Sequence, residues 1–388
     1  MSKAATRSPV TDWTVVVPVI ALVALVFSWG RDLPGFAVAV VALCLAGAVL
    51  AAVHHAEVVA HRVGEPFGSL VLAVAVTVIE VALIVTLMAD GGDKTSTLAR
   101  DTVFAAVMIT CNGIVGLSLL VGALRNRVAV FNAEGSGTAL ATVATLATLS
   151  LVLPTFTTSK PGPEFSTAQL AFAGGASICL YGLFVAVQTV RHRDYFLPVA
   201  TAADTARPTT TGQPAGAGPA AGAGPAEEDE DHAEPPTARA ALISLGLLVV
   251  ALVAVVGNAK AVSPTIESAV ADAGLPHAVV GVIIALLVLL PETLAAVRAA
   301  RRNRVQTSLN LGLGSAIASI GLTIPVIALA SVWLSGPLVL GLGPTHMVLL
   351  TLTVVVGALT IVPGRATLLQ GGIHLVILAA YLFLAVSP

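Results

Sequence analysis

An all-α polytopic membrane protein is the fold class this sequence predicts, with about eleven transmembrane helices: one leading helix and two five-helix repeats of inverted topology. Three observations carry that reading. Of 388 residues, 56% are hydrophobic and only 10% charged, with a mean hydropathy of +0.95, far beyond a soluble domain. Apolar runs recur along most of the chain, and a hydrocarbon core of about 30 Å takes about 20 residues of helix. Two of these runs, VLAVAVTVIEVALIVTLMA and VVGVIIALLVLLPETLAAV, each enclose a glutamate, Glu80 and Glu292.

The spans follow in order. The start, MSKAATRSPVTDW, runs into apolar sequence without a persuasive cleavage site, so Trp13 to Trp29 reads as a retained first helix rather than a signal peptide. Five spans follow: Phe36 to Val53, Phe67 to Ala89, Thr102 to Leu124, Thr138 to Leu153 and Thr167 to Val190. From about Asp194 to Thr237 the chain turns to Ala, Thr, Pro and Gly and then to the acidic run EEDEDHAE. That composition buries too little apolar surface to offset chain entropy and predicts a disordered cytoplasmic linker. Five more spans follow: Ala238 to Val256, His277 to Val297, Leu309 to Leu334, Met347 to Val362 and Thr367 to Val386. The expected divisions are residues 1–33 for the tail and first helix, 34–193 for the first repeat, 194–237 for the linker and 238–388 for the second repeat.

Glu80 falls in the third span and Glu292 in the eighth. With five spans between equivalent helices, the second copy enters the membrane from the opposite side, which makes an inverted repeat. Positive charge orients it. Lys3, Arg7, Arg62, Arg125, Arg127, Arg191, Arg193, Arg207, Arg239, Arg298, Arg301, Arg302, Arg304 and Arg365 share one side with the N-terminus, leaving Arg31, Lys94, Arg100, Lys160 and Lys260 on the other. The first side is therefore cytoplasmic and the C-terminus outside.

A carboxylate near the bilayer centre costs about 2.5 to 3.5 kcal/mol on insertion scales, and such groups commonly mark an ion or proton path. Two of them in matching places point to a transporter. Beyond each comes a helix rich in small and polar residues, with Thr110, Asn112, Gly113, Gly116 and Ser118 in the first repeat and Asn310, Gly312, Gly314, Ser315, Ser319 and Gly321 in the second. Such residues serve close helix packing or internal hydrogen bonding as readily as ion coordination. Pro291 and Pro325 each lack an N–H and free a carbonyl four residues earlier, at Leu287 and Gly321. Pro325 is expected to end the small-residue stretch.

The stretches AEVVAHRVGEPFGSLVLAVAVTVIEVALIV and LLVLLPETLAAVRAARRNRVQTSLNLGLGSAIASIGLTIP resemble the bacterial calcium/proton antiporters of the cation/calcium exchanger superfamily, over nearly the whole membrane portion. The resemblance implies that each repeat supplies an essential glutamate to a central cation site, here Glu80 and Glu292, with Glu57 as the acidic residue upstream of the first. Many relatives carry Gly-Asn-Ala-x-Glu where this chain has VTVIE and VLLPE, so the asparagine ligand is missing at those places. The bacterial subgroup also includes sodium/proton and potassium/proton exchangers.

The expected activity is exchange of cytosolic Ca2+ for external H+ by alternating access; the alternative is a Na+ or K+/proton antiporter on the same two glutamates. Calcium takes six to eight oxygens. Two facing carboxylates cancel its charge, and Glu57, Thr77, Asn112, Thr293, Ser315 and Ser319 are candidate secondary ligands or relays. An emptied pair of carboxylates repels itself in low dielectric and takes up protons instead. No cofactor and no nucleic acid are expected, only the bilayer and the transported cations and protons, in what the chain suggests is a bacterial inner membrane. An intramembrane enzyme lacks support: there is no GxSxG, no HExxH and no pair of aspartates in neighbouring spans. A passive channel fits inverted halves less well than alternating access.

The remaining polar features have bland readings. HHAEVVAH, with Glu57 and His61 four residues apart, suits the cytoplasmic end of a helix better than zinc, and His374 can bond internally. The cluster RAARRNR sets topology and touches anionic lipid. Cys44, Cys111 and Cys179 read as small buried thiols.

Overall fold

In the computed structural model the described residues are 12–31, 33–64, 67–89, 96–199, 236–333 and 336–388. They form a helical bundle with one two-stranded ribbon. The chain runs α1 (Trp13–Ser28), α2 (Gly35–Val63), α3 (Phe67–Met88), then a long helix made of α4 (Leu98–Met108), a π-helical turn at Ile109–Ile114 and α5 (Val115–Asn126). After β1 (Ala129–Val130) come α6 (Ala133–Ala147) and α7 (Thr167–Ala186). The second half holds α8 (Ala238–Asp272), the pair α9 (Ala278–Val288) and α10 (Leu290–Arg301), α11 (Val305–Ala330), α12 (Pro344–Ile361), β2 (Arg365–Ala366) and α13 (Leu368–Val386). Among the described residues eight helices are long and apolar enough to cross a membrane, and the bent pair α9 and α10 makes a ninth. Trp13–Ser28 and Val74–Met88 are apolar but shorter, so this measure stops short of the expected eleven.

Helix starts follow local chemistry. Ser166 and Gln169 form a capping box before α7, Thr367 and Gln370 another before α13, and the Asn132 side chain accepts from Glu134 N and Gly135 N before α6. Each satisfies backbone donors that lipid would leave unmet.

Two helices overrun their expected ends. The second span was placed at Phe36 to Val53, but α2 continues through HHAEVVAH to Val63. Buried His55 has a use there: Pro18 cannot bond the Thr14 carbonyl, and His55 Nε2 lies 2.9 Å from that oxygen. The seventh was placed at Ala238 to Val256, but α8 runs on to Asp272, because Asn258 is buried and donates to the Ala21 carbonyl of α1 at 2.8 Å. At about 1.5 Å per residue α8 is about 50 Å long, more than a hydrocarbon core. Helix α1 thus seats on α2 and α8, which pack along each other.

Other expectations shift as well. Pro325 lies inside its helix, as the expected span from Leu309 to Leu334 has it, but α11 ends earlier, at Ala330; Pro325 Cα is 3.3 Å from the place a Cβ on Gly174 of α7 would occupy. Asp194 does not open the linker, since 193–196 form a 3-10 turn whose buried Phe196 accepts at its carbonyl from Asn310 Nδ2 at 2.6 Å. The acidic run falls outside the described residues. Of the three cysteines only Cys111 is buried, while Cys44 is half-buried and Cys179 exposed.

Loops pair reciprocally between the halves. The segment after α5 meets the segment after α12, with Ala129 opposite Ala366 and Val130 opposite Arg365. The segment after α11 meets the segment before α7, through a bridge between Val339 and Glu164. In each case the loop between third and fourth helices of one repeat pairs with the loop between fourth and fifth of the other. Two copies related by a two-fold axis pair in this way.

Candidate functional site

Glu80 lies inside α3, an unbroken helix, and is 4% exposed. Thr77, one turn earlier, is buried beside it. Helix α11 packs against α3 and brings Ser319, also buried, so that its Oγ donates to Glu80 Oε1 at 2.5 Å. The first half therefore supplies the carboxylate and the second half its hydrogen-bond donor. Ser315 sits one turn before Ser319 and is half-buried.

Glu292 is held differently. Helices α9 and α10 meet at Leu289 with a bend of 50°. Pro291 is the cause: it has no N–H to continue the ladder and stands in the first turn of α10, where a missing donor is harmless. Glu292 follows it in that first turn, where the unpaired amide ends of the helix favour a negative side chain. The residue is half-buried, yet its Oε2 is shielded from solvent and has no hydrogen-bond partner among the described residues. Such an oxygen is open to a cation or a proton. Thr293 spends its hydroxyl proton on the Leu289 carbonyl at 2.7 Å, leaving the oxygen lone pairs.

The other candidates divide. Glu57 is exposed on α2. Asn112 is turned away from the glutamates: its Nδ2 donates to Thr353 Oγ1 of α12 at 2.9 Å, and its Oδ1 lies 3.1 Å from His374 Nδ1 of α13. No group of three or more His, Cys, Asp or Glu side chains is placed to hold a metal among the described residues. Ser118, singled out with the small and polar residues, has a partner that sequence reasoning missed: Ser308 lies 2.5 Å from it and also donates to the Ala296 carbonyl of α10, tying that helix to α11. Nothing in the sequence distinguishes Ser308 from its neighbours.

The family described as sodium/calcium exchanger protein matches residues 33–190 and 243–387, both halves of the bundle. The chain belongs to that family. The exchanger is 45% identical over 383 residues to the candidate ionic transporter y4hA of Sinorhizobium fredii, covering 97% of this chain and 96% of that one. It is 33% identical over 376 residues to the sodium-potassium/proton antiporter ChaA of Escherichia coli, covering 96% and 95%. Among solved structures, native YfkE superposes with a TM-score of 0.68 at 15% identity over 97% of this chain and all of that one. The H+/Ca2+ exchanger CAX superposes at 0.65 and 15% identity, over 96% and 91%. At such identities the structures establish the shared fold. The exchanger is an integral membrane ion transporter of the cation/calcium exchanger superfamily and not an enzyme.

Proposed function

We propose that the protein exchanges cytosolic Ca2+ for external H+ by alternating access, with Glu80 and Glu292 as one site that holds either the cation or protons. The observation that carries the reading is the pairing across the repeats: a buried Glu80 bonded to Ser319 from the opposite half, and, on the corresponding helix pair of that half, a Glu292 whose Oε2 is shielded from solvent and has no hydrogen-bond partner among the described residues. Two carboxylates match the charge of a divalent cation, and Thr77, Thr293, Ser315 and Ser319 supply neutral oxygens toward the six to eight that calcium takes. Once the cation leaves, the two carboxylates face each other in low dielectric, and protons replace it. A site never left empty and charged couples the two fluxes. In this reading the chain crosses the bilayer eleven times, α1 and α3 being the short crossings, with the N-terminus cytoplasmic in a bacterial inner membrane.

A second reading keeps the site and changes the cation to Na+ or K+. It is favoured by the sequence relationship to ChaA, the sodium-potassium/proton antiporter, and by the absence of a third acidic ligand among the described residues. One experiment tests both: cation-dependent proton flux in proteoliposomes under an imposed pH gradient, run in turn with Ca2+, Na+ and K+. Counter-flux with Ca2+ that disappears in Glu80→Gln and Glu292→Gln supports the first reading. Counter-flux with Na+ or K+ alone moves the cation assignment, and unchanged flux in both variants removes the shared site.

A further inference from the structure

The helix through α4 and α5 changes pitch at Ile109–Ile114, and the change leaves one backbone oxygen without its helical donor. In an α-helix the Cys111 carbonyl accepts from Val115 N–H. Here Val115 N–H turns to the carbonyls of Thr110 and Asn112 instead. Proline is absent from the turn, so the irregularity has to be held from outside.

What holds it is on α13. His374, 1% exposed, stands where its ring reaches the Cys111 carbonyl and lies 3.1 Å from Asn112 Oδ1 at Nδ1. Its Nε2 lies 3.3 Å from Thr360 Oγ1 of α12. Asn112 Nδ2 donates to Thr353 Oγ1, which donates to the Leu349 carbonyl at 2.8 Å. A neutral imidazole with its proton on Nδ1 satisfies the set: Nδ1–H faces two acceptors, Nε2 accepts from Thr360, and the amide of Asn112 passes the direction on. Access for α13 comes from missing side chains, since a Cβ on Gly116 would lie 3.0 Å from His374 Cβ and 3.1 Å from the Gly371 carbonyl.

The opposite face of the turn meets α11. A Cβ on Gly312 would lie 3.0 Å from Ile114 Cγ2 and 3.6 Å from the Thr110 carbonyl, so the outline of the π turn sets where α11 rests. Two turns further along α11 is Ser319, the donor to Glu80. We propose that His374 is a positioning residue for the cation site: it holds the π turn at Ile109–Ile114 in place, and through the seat of α11 it fixes Ser319 against Glu80. This rests on the reading of Glu80 as part of the transport site, while the hold on the π turn stands apart from it.

The test uses the full-length protein and has two independent readouts. The first is amide hydrogen exchange of His374→Leu and His374→Gln in detergent, on preparations that elute as the unmodified protein does. We expect His374→Leu to speed exchange at Ile109–Ile114 and along 312–319 by about tenfold or more, with helices remote from the turn unchanged, and His374→Gln, which keeps an amide donor, to restore much of the protection. Unchanged protection in His374→Leu overturns the hold on the turn, whatever the transport result. The second is cation/proton exchange in proteoliposomes for His374→Leu, Ser319→Ala and the double variant. Action through Ser319 makes the double variant no worse than Ser319→Ala alone, with the loss in the apparent KM for the cation; independent, multiplying losses overturn that link. Exchange that survives Glu80→Gln removes the site reading and with it the link to Ser319, leaving the π turn to be decided by hydrogen exchange alone.

Discussion

The two halves of the exchanger differ in where the glutamate-bearing helix and the helix after it are irregular. In the first half Glu80 rides on the unbroken α3, and the next helix carries the π turn. In the second half Glu292 stands at the 50° break between α9 and α10, and the next helix, α11, is continuous. The matching segments show the same split. Aligning Gly116-Leu117-Ser118 with Gly321-Leu322-Thr323 puts Ile114 at the place of Ser319. One glutamate thus gains a hydroxyl donor from the opposite repeat, while the corresponding position facing the other half is an isoleucine packed on Gly312. The difference teaches that related halves need not treat matching carboxylates alike: Glu80 is anchored, while Glu292 keeps an oxygen with no hydrogen-bond partner among the described residues.

Substituting the glutamates tests the comparison most severely. Glu80→Gln and Glu292→Gln are each expected to lower exchange by about a hundredfold or more, since removing one partner of a buried charged set costs about 3 kcal/mol or more; initial rates of cation-driven proton flux measure it. Equal and small losses would contradict a site built from both halves. Pro291→Ala comes next. It gives the Leu287 carbonyl a donor and favours a straighter α9 and α10, and moving a reacting group by about 1 Å can cost about a hundredfold. We expect a loss of roughly tenfold or more, with a circular dichroism spectrum like that of the unmodified protein.

Ser319→Ala removes a hydrogen bond to a carboxylate, a contact worth about 1.5 to 3 kcal/mol. The expected result is a roughly tenfold weaker apparent cation affinity, read from the concentration dependence of flux. Its counterpart Ile114→Ala acts on the glutamate only through the seat of α11 on Gly312, so it should weaken affinity by less than Ser319→Ala does while lowering thermal stability, because deleting a buried isoleucine side chain costs about 2 to 5 kcal/mol through the cavity it leaves. If the two alanine variants behave alike, the asymmetry of the halves has no functional content. The smallest effect is expected for Glu57→Gln. Glu57 is exposed on α2, so it acts on an arriving cation only through a solvent-screened field, and flux should fall about twofold to threefold at low salt and by less at high salt.

The apolar runs and their glutamates made the helical architecture legible, and Pro291 announced the break at Glu292 because a proline leaves a specific carbonyl without its donor. The reach of α2 and α8 was harder to read. His55 and Asn258 look like polar ends of spans, but each is buried against a carbonyl of α1, a contact between residues 41 and 237 positions apart in sequence. The π turn left no local mark either. Thr110-Cys111-Asn112 contains no proline, and its cause lies on α13, 262 residues away at His374. Asn112 read alone suited a cation ligand as well as a packing device. Only the positions of Thr353 and His374 show where its amide is spent.

The seat of α1 constrains how the molecule is assembled during synthesis. Its Thr14 carbonyl can be claimed by His55 as soon as α2 is made, but the donor for Ala21 is Asn258, which emerges from the ribosome only after the whole first half and the following segment. Until then α1 sits in the lipid with one face unfinished, held by α2 alone. A helix made before α2 is therefore fully docked only after Asn258 has been made, and the insertion machinery or the lipid must shelter that face in the meantime.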